Sequence, residues 1–511
     1  MRIVTGEEMA SIDAITMNKV GLPGAVLMEN AGRGIARKLL DLYGRKHRFF
    51  IVIGSGNNGG DGFVVARVLK DEGAEVQVFI VPEESRYKGD AKLHKRVFEQ
   101  SGYRWKYWKD IENQLPAILY ETDIIVDALL GTGVSGQVKE PYASVISSLN
   151  KLKNEIVSID LPSGVPAGSA ELSHEAIKAD RTLTLQWTKV SYYLEETKPY
   201  FGEVNVVPIG IPPNTLRHLA SQRYVWGKNE VVNSWVMSKP NAHKGDNGRV
   251  GIIAGSEAMP GAAALAGSAA VRSGAGFTTI ATVAQNVPVI ASHVKEAMYT
   301  IFSEEHGYLA PTEAELAAFM DNKQSIAVGP GLGRTPELTK MVAYLLHHFK
   351  GVLILDADAL HSLKECAAIV QERTAPTVIT PHPGEMAMLI DQSASYVNKN
   401  RFEVAESYAE LYGVYVVLKG PNTIVAEPGG CISVNVTGNA GLAKGGSGDV
   451  LTGMVAALVA RQRIQPALSS AVFFHGYAAD LLAKQRHVLA TITPSDIIEL
   501  LPEAFSIVDD D

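Results

Sequence analysis

The 511-residue chain contains 46% hydrophobic and 20% charged residues and carries a net charge of −8, a composition that excludes disorder, collagen-like repeats and a coiled-coil rod. This length exceeds what one hydrophobic core supports, so two domains are expected. The negative charge gives no general attraction for nucleic acid or an anionic membrane, so neither partner is expected and any phosphate site must be local.

The opening, MRIVTGEEMASID, places acidic residues where a secretory leader would have a positive end and an apolar run, which predicts a cytoplasmic protein. The first half then alternates helical patterns with short apolar strands: FFIVIG (49–54), VQVFIV (76–81), DIIVDALL (123–130) and EIVSIDL (155–161). That rhythm predicts a mostly parallel sheet covered by helices, with ligands bound at the strand C-terminal ends. The basic run from Lys88 to Arg96 reads as a solvated helix face. Around residues 212–228 the rhythm stops at a Pro-Pro pair and a polar stretch, which predicts domains over 1–215 and 225–511. The Ala/Gly-rich stretch from Met259 to Phe277 is interrupted by Arg272 and reads as a tightly packed soluble helix, not a membrane span. The second half repeats the α/β pattern with RVGIIAG (249–255), SIAVGPG (325–331), VLILDAD (352–358), TVITPHP (377–383) and YVVLKG (415–420). Cys366 and Cys431 match neither a disulfide framework nor a metal-binding spacing, as expected in a reducing compartment.

The segment from Gly54 to Gly62, GSGNNGGDG, follows a strand and opens the helix pattern 63–70. Glycines there allow close backbone approach, and amides at a helix start attract an anion. The loop has neither the Rossmann G-x-G-x-x-G spacing nor a Walker A ending, and Asp61 would repel a phosphate unless compensated. Asp127, before GTGVSG (131–136), and Asp160, within SIDLPSG (158–164), bring two carboxylates to the same rim. Asp127 with Asn58 and Ser163 offers oxygens to a hard cation, leaving Asp160 for acid/base work. Helix capping is the alternative role for each aspartate.

NNGGDG, DALLGTGVSG and DLPSG together resemble the NAD(P)HX epimerase family over the first 210 residues or so. The resemblance implies a Rossmann-like fold. It also implies that Asn57, Asn58, Gly59, Gly60 and Asp61, with Gly131, Thr132, Gly133, Val134, Ser135, Gly136 and Gln137, contact a hydrated dinucleotide. Asn58, Asp127 and Ser163 would surround a potassium ion, and Asp160 would lie at the reacting centre. Lys189, in LTLQWTK, resembles the family lysine after the fifth strand and is expected to be catalytic, its role left open.

NAGLAKGGSGD (439–449) precedes the helical pattern 450–460. Gly445, Gly446, Ser447 and Gly448 can present consecutive amides to a phosphoryl group in transfer, each donor stabilising the transition state by about 3 kcal/mol. Asp449 follows directly and can take the proton of an attacking hydroxyl, a contribution of about 10² to 10⁴ in rate. KGPNTI (419–424) has the placing of a nucleotide loop, TPHPGE (380–385) supplies His382 and Glu385, and DADAL (356–360) supplies carboxylates able to orient Mg²⁺ through water.

With GPGLG (329–333) and HKGDNG (243–248), these segments resemble the ribokinase-like fold, and in their order they resemble the ADP/ATP-dependent NAD(P)HX dehydratase family over about residues 228–505. The resemblance implies that Lys419, Gly420, Pro421, Asn422, Thr423 and Gly448 contact ADP or ATP. Ala262, Gly331, His382 and Asp449 would contact the hydrate. The chain reads AMPGAAALAG (258–267) where the family often has Tyr-x-Gly-Ala.

The expected architecture is thus two tandem three-layer α/β/α domains, Rossmann-like then ribokinase-like, in a homo-oligomer that repairs NADHX and NADPHX. The first domain would interconvert epimers, and the second would phosphorylate the C6 hydroxyl and eliminate phosphate. A small-molecule kinase fused to a non-catalytic binding domain would use similar loops and stays open at this point.

Overall fold

The computed structural model describes every residue except 121, 134, 135, 173, 220, 221, 238, 239, 486, 487, 510 and 511. The chain divides into compact units Met1–Ala220 and Ser221–Asp511.

In the first unit, the apolar runs form strands because both of their faces are covered. Phe49, Ile51 and Ile53 of strand Arg48–Ile53 enter one core, while Phe50 and Val52 enter another on the opposite face, the near-continuous hydrophobicity expected of a buried parallel strand. The sheet runs Lys106–Tyr107, Glu75–Ile80, Arg48–Ile53, Ile124–Ala128, Ile156–Ile159, Arg181–Leu185, Glu203–Val207, and every pairing is parallel. Counted along the chain this is order 3-2-1-4-5-6-7, the Rossmann-like arrangement. Its direction reverses between Arg48–Ile53 and Ile124–Ala128, so the loops after those strands flank the crevice where such sheets bind ligands.

One pairing lies outside that sheet. Arg2–Val4 runs parallel to Thr188–Lys189, with Val4 opposite Lys189, so the N-terminal segment is fastened beside a residue already suspected of function. The basic run Lys88–Arg96 lies on helix Gly89–Gln100, but it is not wholly solvated. Lys95 is buried between Glu84, at 2.8 Å, and Glu99, at 2.6 Å, with its ammonium over the Trp105 ring.

The second unit's sheet runs Met298–Ile301, Phe277–Thr282, Arg249–Ile253, Ser325–Val328, Val352–Leu355, Thr377–Ile379, Tyr415–Leu418, Ile424–Ala426, Cys431–Asn435, Gln222–Trp226. Pairing is antiparallel only around Ile424–Ala426. Here the order reverses between Arg249–Ile253 and Ser325–Val328. Strand Gln222–Trp226 falls in the stretch that reads as a boundary by composition; it pairs in parallel with Cys431–Asn435. The Ala/Gly-rich stretch forms helix Pro260–Arg272. Its small residues let helix Ser447–Val459 pack close, because a Cβ on Gly453 would overlap the Ala266 carbonyl. That contact fixes the helix whose first turn carries Asp449. Among the described residues no helix is long and apolar enough to cross a membrane.

Candidate active sites

In the first unit, a cleft of about 580 Å³ opens at the sheet's reversal point, a size that suits a small-molecule ligand. Asn57, Asn58, Asp61, Gly131, Thr132, Gly133 and Asp160 line it. Gly136 and Gln137 are exposed and lie off its wall, and Val134 and Ser135 fall outside the described residues. The helix begins earlier than the sequence pattern suggests, at Asn57, so Asn57 to Asp61 form its first turns. Several of the glycines are needed for packing, not for ligand approach. A Cβ on Gly54 would overlap the Leu129 carbonyl, one on Gly59 the Gly54 carbonyl, and one on Gly60 the Met28 side chain.

The two aspartates differ in what surrounds them. Asp127 is fully buried and accepts four hydrogen bonds, from Leu129 N (3.2 Å), Ser163 Oγ (2.6 Å), Ser163 N (2.9 Å) and Ser158 Oγ (2.8 Å). Burial still pushes its carboxyl up, although the Ser163 and Ser158 hydrogen bonds oppose this. Asn58 donates to Leu130 O at 2.8 Å, while its buried Oδ1 has no hydrogen-bond partner. Asn58 Oδ1 is therefore the unused oxygen of the Asn58, Asp127 and Ser163 set, and a cation suits it. No group of three or more His, Cys, Asp or Glu side chains able to hold a metal occurs among the described residues.

Asp160 adopts a positive φ of 68°, in a region that non-glycine residues seldom occupy and that concentrates at functional sites. Its Oδ1 forms an ion pair with Lys189 and accepts from Leu185 N at 3.0 Å. The Lys189 side chain is wholly buried and also donates to Thr184 Oγ1 (3.3 Å), Leu185 O (3.2 Å) and Trp187 O (3.2 Å). With Oδ1 so occupied, Oδ2 is the oxygen left to face the cleft. Asp61 is buried on the same wall. Burial, then the charges of Asp160 and Asp13, raise its carboxyl well above the usual range, against the pull of Lys189. Asp13 and Asp90 also line the cleft, and the motifs mark neither; Asp13 is the one whose charge acts on Asp61. Its sequence signal is faint, a carboxylate on the Met9–Ile12–Thr16 face that helix packing buries.

In the second unit, Asp449 lies in the first turn of helix Ser447–Val459. Gly446, at φ 94°, turns the chain into the helix. Ser447 N bonds to Lys444 O at 3.3 Å, and Val450 N closes the first helical bond, to Gly446 O at 3.1 Å. The N–H groups of Gly448 and Asp449, between these two, are the donors that a helix start leaves for an anion. The amides open to an anion thus extend past the glycines to Asp449 itself. A Cβ on Gly445 would meet nothing, and one on Gly448 would stand 3.5 Å from Lys419 Nζ, so both residues border open space. Burial, then the charge of Asp356, push the Asp449 carboxyl up to about 7, against the pull of Lys419. Beneath the turn, buried His475 bonds to the Ser447 backbone.

Lys419 is held by Asp356 at 2.8 Å, with Glu385 at 3.9 Å. Asp356 is 1% exposed and also accepts from Thr452 Oγ1 at 2.6 Å. Burial works to raise the Asp356 carboxyl, but the Lys419 charge and the hydrogen bonds from Lys419 and Thr452 hold it below the usual range. Asp358 accepts from Gly333 N at 2.8 Å and Arg334 Nε at 3.4 Å. These aspartates brace loops, and their remaining lone pairs suit a water-mediated role toward a cation. Ala357, between them, has φ 48° and ψ −120°, a strained turn that sends the two carboxylates different ways.

Gly331 and Ala262 are brought together, since a Cβ on Gly331 would lie 2.9 Å from that of Ala262. His382 caps helix Pro383–Leu389, its Nδ1 accepting from Gly384 N at 3.0 Å and Glu385 N at 3.2 Å; its side chain is 56% exposed. Lys419 N bonds to Pro381 O at 2.9 Å, tying the Lys419–Thr423 loop to the His382 loop. Within that first loop Gly420 and Pro421 are exposed while Asn422 and Thr423 are buried. No motif marks Arg401, yet its buried guanidinium donates to Leu418 O (2.9 Å), Lys419 O (3.2 Å) and Asn422 O (3.2 Å). Asp480, also unmarked, receives Gly438 N (2.9 Å) and Asn439 Nδ2 (3.0 Å) at the start of NAGLAKGGSGD.

Comparison with known proteins matches a family to each unit. The NAD(P)H-hydrate dehydratase family matches residues 250–503, and the family described as YjeF-related protein N-terminus matches residues 24–191. A bifunctional NAD(P)H-hydrate repair enzyme of Moorella thermoacetica is 34% identical, over 98% of this chain and 96% of its own length. The chain belongs to the bifunctional NAD(P)H-hydrate repair enzymes. Its second unit accordingly has the ribokinase-like fold and its first the Rossmann-like fold. A repair enzyme of the same name from Thermofilum pendens is 33% identical over 100% of this chain and 97% of its own length. Among solved structures, the ADP/ATP-dependent NAD(P)H-hydrate dehydratase of Bacillus subtilis, co-crystallised with ATP and Mg²⁺, is 32% identical, with a TM-score of 0.49, covering 55% of this chain and 97% of that one.

Proposed function

We propose that this family member repairs hydrated NADH and NADPH, with epimer exchange in the first unit and nucleotide-dependent dehydration of the S epimer in the second. The observation that carries the reading is Asp449, poised at an open helix start beside two free main-chain N–H groups and the braced Lys419. Asp449 takes the proton of the C6 hydroxyl as its oxygen attacks the terminal phosphoryl group of ADP or ATP, and the bond to the nucleotide breaks. The Gly448 and Asp449 amides stabilise the charge on the transferred group. Phosphate then leaves C6 with the C–O electron pair while C5 loses a proton, which restores the dihydropyridine ring. Hydroxide, a poor leaving group, is thereby replaced by a good one.

Lys419 to Thr423 hold the nucleotide, with Lys419 on its phosphates, and Ala262, Gly331 and His382 hold the hydrated ring. Asp356 and Asp358 would hold, through water, a Mg²⁺ ion carried by the nucleotide, which would supply positive charge against the donor phosphates. In the first unit Asn57 to Asp61 and Gly131 to Gly133 bind the hydrate, and Asp160, oriented by Lys189, exchanges the proton of its hydroxyl. Asn58, Asp127 and Ser163 would hold potassium, which supplies positive charge beside the buried Asp127 carboxyl.

The test is to incubate the chain with mixed hydrates, Mg²⁺ and ADP or ATP. NADH absorbance is expected to return from both epimers with stoichiometric release of inorganic phosphate. A stable phosphoester with no phosphate release would instead identify a small-molecule kinase.

Arg401 offers a sharper probe of the nucleotide loop. A Cβ on Gly420 would stand 2.6 Å from Arg401 Nη2, so guanidinium and loop backbone are in direct packing contact. A lysine reaches these carbonyls with one ammonium and without the planar fork. Arg401→Lys is therefore expected to raise the nucleotide KM about tenfold, the equivalent of losing one hydrogen bond to a charged group, with kcat changed less. Initial rates at varied ATP check this.

A further inference from the structure

Asp13 reaches the epimerase cleft from a segment that carries no motif. The pairing of Arg2–Val4 with Thr188–Lys189 fixes the chain start, and the Thr5–Glu8 capping box begins helix Gly6–Ile15. Gly6 packs against the Thr132 carbonyl, where a Cβ would lie 3.0 Å from the oxygen. Thus anchored at both the Lys189 strand and the Thr132 loop, the helix places Asp13 on the cleft wall with Asp61, Asp90 and Asp160. The Asp13 carboxyl is half-buried and makes no hydrogen bond or ion pair among the described residues.

We propose that Asp13 is the second acid/base group of epimer exchange, the partner of Asp160 across the hydrated ring. The inference rests on the epimerase reading above. Asp160 takes the C6 hydroxyl proton, the C6=O bond forms, and the C6–N1 bond breaks with its electron pair passing to N1, which takes the proton of Asp13. Rotation about the C5–C6 bond turns the other face of the aldehyde toward N1. As N1 attacks it returns its proton to Asp13, and the oxygen recovers a proton from Asp160. The oxidation state is unchanged and no co-reactant is consumed.

Two observations favour Asp13 over Asp61 for this part. A group that gives and recovers a proton in each cycle works best near the operating pH. Burial and then the charge of Asp160 push Asp13 up to about 6, against the pull of Lys189, whereas complete burial raises the Asp61 carboxyl well above the usual carboxylate range. Asp13 is also the less enclosed of the two, which lets it re-equilibrate with solvent.

The test follows interconversion of the R and S hydrates by the full chain without nucleotide, so that dehydration is silent, with the uncatalysed rate subtracted. Asp13→Asn is expected to slow exchange about 10²-fold or more, with little change in KM or thermal midpoint. The wild-type rate should fall as pH rises through about 6, because the donor is then deprotonated; Asp13→Glu should keep such a limb, and Asp13→Asn should lack it. Wild-type exchange by Asp13→Asn, or an unchanged alkaline limb in it, would overturn the assignment while Asp160→Asn still tests the epimerase. Failure of the unmodified chain to accelerate exchange would overturn the epimerase reading itself, and the Asp13 proposal with it.

Discussion

Replacing Asp449 by asparagine is expected to slow nucleotide-dependent recovery of NADH absorbance by about 10²- to 10⁴-fold and to leave epimer exchange untouched. Asparagine preserves size and can still cap the helix, so loss of rate with an unchanged thermal midpoint separates proton transfer from helix capping. The pH profile adds a second readout. The wild-type carboxyl is raised to about 7, so below that pH it is mostly protonated and cannot act as a base. Dehydration by the unmodified chain should rise about tenfold per pH unit below 7 and level off above it, and Asp449→Asn should lack that rise. Gly448→Ala is the companion change. Its Cβ meets no protein atom closer than 3.5 Å, so the fold should survive while the phosphoryl space fills. If Asp449→Asn abolishes both activities, the two units do not act independently.

The strands legible in the sequence were those with both faces buried, such as Arg48–Ile53 and Val352–Leu355, because burial on two sides demands an unbroken apolar run. Those illegible were short or half-polar. Thr188–Lys189 has two residues, Phe277–Thr282 reads FTTIAT, and Gln222–Trp226 begins with polar residues; each owes its state to a partner strand distant in sequence. The candidate sites divide similarly. Asp160, Asp449 and Lys419 sit at strand ends or a helix start, where local glycine and proline signals announce a loop. Asp13, Arg401, Thr452 and Asp480 act on groups that only the fold brings near, as when Thr452 bonds to Asp356 across 96 positions. The glycine-rich loop after Arg48–Ile53 was legible as a site, but not the reason for its glycines, since Gly54 and Gly59 serve packing.

Removing the partner of Asp160 should have the larger structural consequence of the two changes to that pair. Asp160→Asn is expected to slow epimer exchange by about 10²-fold or more while dehydration of the S epimer proceeds at the wild-type rate. Lys189 would then remain buried, but with Thr184 Oγ1, Leu185 O and Trp187 O still accepting from it. In Lys189→Met, Asp160 keeps Leu185 N and a long bond from Thr184 Oγ1 and loses its only counter-charge among the described residues at hydrogen-bond distance. Breaking a buried pair from one side costs about 3–5 kcal/mol, so Lys189→Met should lower the unfolding midpoint of the first unit and also slow exchange. The double variant Asp160→Asn/Lys189→Met removes both charges and should recover much of that stability without recovering activity, the non-additivity expected of one coupled pair. Thermal unfolding and chromatographic exchange rates on the three variants measure this. Additive losses would mean that the ion pair neither stabilises the unit nor orients its base. A Lys189→Met variant that exchanged epimers at the wild-type rate would remove Lys189 from the mechanism and leave Asp160 to be oriented by the Leu185 amide and the Thr184 hydroxyl.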